Sequence, residues 1–235
     1  MIIMQTGTEF VLISNFITIL ISASVGTYLL RLWLHQSTRL LTDLPLVFAI
    51  TTTSQAIQTF VLALPYTGLI EPSMVLFRLR SVIIGGSIIP LVGAVLQIWL
   101  PRIQKYHNKI LAAVTLYWVS IALLGTTESI IMTLTIPIIV IVALMMMVTF
   151  IITWKTGRLK EVRSEAMIAA IPFALVSQIS RVPLLSTPFF YISDFFLALS
   201  LLITVFAFPN PLRSKKQTDA QSVDKSIEEE YPLTV

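Results

Sequence analysis

Long apolar stretches separated by short polar ones run through most of the chain. A transmembrane helix needs about 20 apolar residues to cross a hydrocarbon core roughly 30 Å thick. Seven stretches come close to that length or exceed it, and we expect each to form one helix. Their predicted bounds are residues 10–31, 44–64, 75–100, 110–126, 129–153, 166–185 and 188–209.

The least distinct boundary lies between the fourth and fifth stretches, at Gly125-Thr126-Thr127-Glu128. A single helix over residues 110–153 would rise about 66 Å at roughly 1.5 Å per residue, twice the thickness of the membrane. The sequence therefore predicts a helical hairpin here.

Composition places the chain among integral membrane proteins. It has 235 residues, of which 56% are hydrophobic and 12% charged, whereas about a quarter of the residues in soluble domains are charged. There is no cysteine, which excludes disulfides and thiolate chemistry. The histidines, His35 and His107, lie far apart in sequence, so no metal site or other cofactor is predicted. The expected fold is an all-α bundle of seven transmembrane helices in the lipid bilayer of the cell membrane.

The basic residues predict the orientation of this bundle. With the N-terminus outside, thirteen of the sixteen Lys and Arg fall on the cytoplasmic side, all but Arg78, Arg80 and Arg181. Cytoplasmic loops carry such an excess of positive charge. The net charge of +4 is therefore interpreted as topology and not as a nucleic-acid-binding surface. The C-terminus is predicted to be cytoplasmic, with a seven-helix domain over residues 1–209 and a polar, disordered tail over 210–235.

Polar side chains inside an apolar stretch tend to face neighbouring helices or a cavity. In the second stretch they follow i, i+4, i+7, i+8 spacing and form one polar stripe: Thr51, Gln55, Gln58 and Thr59. The stripe suits either hydrogen bonds between packed helices or the wall of a polar cavity. In the first stretch the polar residues are small and predict close helix packing without chemistry: Ser14, Asn15, Thr18, Ser22 and Ser24.

Charged residues gather toward the predicted outer end of the bundle. They are Arg78, Arg80, Arg181, Glu71, Glu128 and Asp194. Ionised groups within a bilayer usually pair, because an isolated charge costs at least about 2.5 to 3.5 kcal/mol. The cluster is either a salt bridge that holds the outer end together or a ligand or ion site. Asp194 is the only acid well inside a predicted span, which makes it the strongest single candidate.

The two arginines of the third stretch cannot both face the interior, since residues two apart on a helix point about 200° apart. We expect one to reach toward lipid headgroups and Arg80 to turn inward, with Asp194 or Glu128 as its partner.

The same stretch carries a resemblance. Arg78-Leu-Arg80, four residues, Gly85, four residues and Pro90, followed by an aliphatic run, resembles the third helix of the seven-helix sensor regions of prokaryotic histidine kinases. The resemblance covers about residues 8–210 in the order and spacing of the apolar stretches, and it implies a role in signal transduction. In that family the helices usually feed a kinase, PAS or cyclase module, whereas here only a short tail follows. The resemblance therefore implies that the output lies on a separate polypeptide.

Enzymatic and retinal-based functions are not predicted. Every lysine lies outside the predicted spans, so no Schiff-base retinal is expected, and the sequence has no hydrolase or metalloprotease motif. The leading hypothesis is a membrane receptor or sensor that binds a small or lipid-like ligand and signals through a cytoplasmic or membrane partner. A small transporter or channel is the first alternative, supported by the polar stripe, proline-interrupted helices and Asp194. A structural subunit of a membrane complex is the second.

Overall fold

The computed structural model describes residues 3–36, 39–40, 43–157, 162–184, 187, 189 and 191–208, without the side chains of 3–8 and 181–183. Over these ranges it contains seven α-helices and two 3₁₀ segments, and no strand. The helices are α1 (Ile3–Leu34), α2 (Leu44–Ala63), α3 (Met74–Trp99), α4 (Gln104–Leu124), α5 (Glu128–Thr156), α6 (Ser164–Leu184) and α7 (Tyr191–Ala207). The 3₁₀ segments, Leu64–Thr67 and Pro101–Ile103, follow α2 and precede α4. The predicted tail over 210–235 lies outside the described residues.

The predicted all-helical fold is confirmed. A length sufficient to cross a membrane is confirmed for five of the helices. Five helices, α1 to α5, are long and apolar enough to cross a membrane. The apolar stretches described in α6 and α7 are shorter, Ser164–Ser180 and Tyr191–Ala207. The helical hairpin predicted within 110–153 is present, because α4 ends at Leu124 and Thr127 caps α5 by accepting a hydrogen bond from the Ile130 N–H.

Two helices begin well before the predicted apolar stretches. Helix α1 starts at Ile3 instead of residue 10, and α4 starts at Gln104 instead of residue 110. In α4 the added turns carry polar residues, among them Lys105 and Lys109. Such residues are compatible with an α-helix but are unfavourable in the hydrocarbon core of a membrane. Hydropathy therefore marked the apolar part of these helices and not their ends.

The helices pack in chain order into a closed ring. Each packs on its sequence neighbours, α7 packs on α1, and α3 also packs directly on α5. The alternation of direction gives the bundle two ends. We call the end that holds the start of α3, α5 and α7 the cluster end, and the opposite end, with Arg31, Arg102, Lys105, Lys109, Lys155 and Arg163, the basic end.

The apolar core lies mainly in the half of the bundle toward the basic end. Its largest buried members there are Leu29, Met146, Phe150 and Met167. Phe150 is close to Phe48, which also contacts Phe208 just beyond α7. This half of the bundle is filled by side chains that interlock between helices, whereas polar groups collect in the other half.

Candidate functional site

The two arginines of α3 reach in different directions from its first two turns. Arg78 Nη2 donates a hydrogen bond of 3.0 Å to the carbonyl oxygen of Gly125, at the end of α4. Arg80 Nε donates one of 3.1 Å to Oε1 of Gln58 in α2. The separation of about 200° between positions two apart on a helix sends one guanidinium to each neighbouring helix.

Arg78 acts on the C-terminus of α4. Gly125 is the C-cap residue of this helix, and its carbonyl has no partner inside the helix. A cation is favourable at this position because helix C-termini carry partial negative charge. The Nε of Arg78 is buried and has no hydrogen-bond partner among the described residues. Arg78 therefore binds protein and is only partly exposed, instead of extending freely toward headgroups.

Asp194 lies in the first turn of α7 and is 2% exposed. Its Oδ2 accepts a hydrogen bond of 2.8 Å from the hydroxyl of Ser14 in α1. A buried carboxylate is stable only where donors or cations surround it. The bond with Ser14 supplies one donor and ties α7 to α1.

Tyr66, in the 3₁₀ segment after α2, is partly buried, and the opposite charges of Arg80 and Asp194 both act on its hydroxyl. We call Ser14, Gln58, Tyr66, Arg80 and Asp194 the polar cluster.

The remaining charged candidates stand apart from the polar cluster. Glu128 is exposed in the first turn of α5, and Glu71 is exposed in the segment before α3. Neither makes a hydrogen bond through its side chain to another described residue. The side chain of Arg181, near the end of α6, lies outside the described residues.

The polar stripe of α2 faces its neighbours within the bundle. Thr51 donates a hydrogen bond of 3.1 Å to the carbonyl of Ser87 in α3, and Gln58 accepts from Arg80. Gln55 donates to Thr59, which is fully buried. Thr51 and Gln58 therefore link α2 to α3, and none of the four stripe residues lines the cavity described next.

A cavity of about 70 Å³ lies between α3, α5 and α6 in the half toward the cluster end. Its wall is mostly aliphatic and aromatic, with Arg80 and Gln178 as its largest polar members. Trp118 of α4 closes one side: it is 1% exposed, and its Nε1 donates a hydrogen bond of 2.8 Å to the Ser81 carbonyl. Arg80 is thus shared between the polar cluster and the cavity.

The polar residues of α1 differ from the sequence-based expectation. For Ser14 the sequence predicts only close packing, whereas in the structure its hydroxyl donates a hydrogen bond to Asp194. Asn15 is fully buried, and neither polar atom of its side chain has a partner among the described residues; the same holds for the hydroxyl of Ser22. The sequence analysis also missed Tyr66, Trp118 and Gln178. Each carries a polar group and lies within or beside an apolar stretch, and that was the only feature of the sequence that could have marked it.

Among the described residues, no three His, Asp or Glu side chains come together as metal ligands would. Comparison with known protein families, with curated protein sequences and with solved structures finds no significant match to this chain. The functional argument therefore rests on the polar cluster and the cavity.

Proposed function

We propose that this protein is a seven-span receptor of the cell membrane, with its N-terminus outside, that binds a small molecule in the cavity and signals through a separate partner. The observation that carries the proposal is the position of the cavity. It occupies one half of the bundle, and the apolar core fills the other half. A cavity that is closed off by a packed core toward the basic end is better suited to bind a molecule than to let it pass through the bundle.

The lengths of α6 and α7 support seven spans. Helix α6 has 21 residues and α7 has 17. They rise about 32 Å and about 26 Å at roughly 1.5 Å per residue, close to the thickness of the hydrocarbon core. Both pack on neighbours along the ring, and α7 contacts α1, so a bundle without them would expose their partners' buried faces.

The distribution of charge supports the orientation. Arg31, Arg102, Lys105, Lys109, Lys155 and Arg163 all lie at the basic end. The basic residues at the cluster end whose side chains are described are Arg78 and Arg80, and both are bound to other helices. Under the positive-inside rule this distribution favours a cytoplasmic basic end, with the cavity toward the outside. A signalling partner would meet the basic end.

The shared residue Arg80 offers a route from ligand to partner. A ligand at Arg80 changes the balance of charge around Tyr66 and Asp194, and Asp194 ties α7 to α1. At the other end of α7, the backbone carbonyl of Phe208 accepts a hydrogen bond from the Tyr28 hydroxyl of α1, and the carbonyl of Ala207 accepts one from the Arg163 N–H. A shift of α7 would therefore be transmitted to the basic end.

A matched pair of variants tests the proposal. Ile136→Trp fills the cavity, since Ile136 lines it, whereas Leu134→Trp adds the same bulk at an exposed position of the same helix. Each tagged protein is purified from its native membrane in mild detergent, and bound partners are quantified by mass spectrometry. We expect Ile136→Trp, and not Leu134→Trp, to change the amount of one stoichiometric partner at least threefold.

The carrier alternative is favoured by one observation, the buried carboxylate of Asp194 within an apolar helix, which could couple transport to a proton or cation. Proteoliposomes that take up small organic anions, with uptake lost in Asp194→Asn, would support that alternative. If the purified protein also recovered no partner, the receptor proposal would be refuted.

A further inference from the structure

The wall of the cavity combines two kinds of chemistry. Arg80 and Gln178 provide polar groups, and Phe77, Ile136, Ile139 and Leu175 are among the apolar side chains that form most of the remainder. A purely apolar ligand would leave the guanidinium buried against hydrocarbon, which is unfavourable. A fully polar ligand would lose its hydration without replacement along the apolar wall. The cavity therefore suits a molecule with one polar head and an apolar body.

The charges around the cavity indicate the sign of that head. Among the described residues that line the cavity, Arg80 is the only charged one, and neither Arg78 nor Asp194 is among them. A ligand head in the cavity therefore meets a positive charge at close range. An anionic head would be attracted to it, whereas a cationic head would be repelled in a region of low dielectric constant.

The guanidinium of Arg80 suits a carboxylate head. Its Nε donates to Gln58 of α2, and the side chain lines the cavity. The planar fork of N–H donors on arginine matches the two oxygens of a carboxylate. The Gln178 amide can add a further donor from α6.

The size of the cavity limits the body of the ligand. One water molecule needs roughly 10–15 Å³ of such space. The 70 Å³ cavity therefore holds about five to seven groups of that size. This corresponds to a carboxyl group with a chain of a few methylenes, and a long acyl chain would have to leave the cavity past Ile179, which is exposed on α6.

We propose that the cavity binds an aliphatic monocarboxylate, with its carboxylate on Arg80 and the first part of its chain among the aliphatic side chains of α5 and α6. This assignment rests on the proposed function and specifies the ligand class of the same cavity. The carboxylate could come from the aqueous phase or from free fatty acid in the bilayer, and the chain-length comparison below separates these sources.

Binding of radiolabelled hexanoate to the full chain in phosphatidylcholine nanodiscs tests the assignment. We expect saturable binding that unlabelled hexanoate displaces at least tenfold better than 1-hexanol or hexylamine. Arg80→Gln should weaken binding at least tenfold. Arg78→Gln removes the same charge two residues away, but its side chain binds Gly125 and does not line the cavity, so we expect less than a threefold change.

Two further arms keep the test decisive. If Arg80→Gln does not fold, Ile136→Trp, which retains Arg80, must abolish hexanoate binding, while Leu134→Trp must not. Displacement by hexanoate better than by dodecanoate indicates a ligand from the aqueous phase, and the reverse indicates a fatty acid from the bilayer; both support a monocarboxylate.

Equal displacement by 1-hexanol, or hexanoate binding that survives Ile136→Trp, would overturn the monocarboxylate assignment. Absence of hexanoate binding would overturn it too. None of these three results refutes the receptor proposal if Ile136→Trp still changes partner recovery, so failure of the ligand assignment and failure of the receptor proposal are distinguishable.

Discussion

The hydroxyl of Ser14 donates a hydrogen bond of 2.8 Å to Asp194, a residue 180 positions later in the chain. The bond joins the first helix to the last and so closes the helical ring at the cluster end. At the same end of the bundle, Arg80 of α3 binds Gln58 of α2 and lines the cavity.

We expect the Ser14 and Asp194 side chains to be energetically coupled. Ser14→Ala removes the donor and should lower the free energy of unfolding by about 1 kcal/mol, near the range found for hydrogen bonds within membrane proteins. Asp194→Ala, which unlike Asp194→Asn leaves no acceptor for Ser14, should cost more, because it also removes a buried charge. A double-mutant cycle by reversible unfolding in micelles should give a coupling of about 0.5 to 1.5 kcal/mol. Additive effects of the two substitutions would show that the bond contributes nothing to stability.

Gly85 should be required by the packing of Trp118. A Cβ at position 85 would lie 2.5 Å from Cδ1 of Trp118, so the indole would have to move and weaken its bond to the Ser81 carbonyl. The neighbouring Gly86 is the control, since a Cβ there would lie 3.7 Å from the Ser54 hydroxyl. Both substitutions gain the same helix propensity, so their difference isolates the packing.

We expect Gly85→Ala to be less stable than Gly86→Ala by about 1 to 3 kcal/mol, the usual cost of overpacking a core. Thermal unfolding in the same detergent measures this difference. Equal melting temperatures for the two variants would mean that Trp118 has room to move at no cost.

The arrangement of apolar stretches predicted the helices because the need to satisfy every backbone hydrogen bond in lipid leaves few other folds. The divergence of Arg78 and Arg80 also follows from helix geometry alone. The partners of these arginines do not, because Gln58 and Gly125 are brought to them by packing between helices. Ser14 gave no signal of its role, since a small hydroxyl residue is equally typical of simple helix packing.

The cavity could not be predicted from sequence at all. It is a gap left where α3, α5 and α6 meet, and its existence depends on the fit of side chains from four helices. Gly85 shows the same limit: its spacing after Arg80 was visible, but its contact with Trp118 depends on how α4 packs against α3.

Arg78 should stabilise the junction between α4 and α5. Arg78→Gln removes a charged donor from the Gly125 carbonyl and should lower the free energy of unfolding by about 1 kcal/mol. Arg102→Gln removes the same charge at an exposed position of the basic end and should change stability by less than about 0.5 kcal/mol. If both substitutions lowered the free energy of unfolding equally, the effect at Arg78 would come from the change in net charge and not from its hydrogen bond to Gly125.

The number of spans and their orientation can be tested with single cysteines, because the native chain has none. Glu71→Cys lies between α2 and α3, Asn108→Cys near the start of α4, and Thr187→Cys between α6 and α7. Seven spans with the N-terminus outside predict that a membrane-impermeant maleimide labels positions 71 and 187 in intact cells. Position 108 should be labelled only after permeabilisation. Labelling of position 71 without position 187 would indicate that α6 and α7 fail to span the membrane, and labelling of position 108 alone would reverse the orientation and place the cavity toward the cytoplasm.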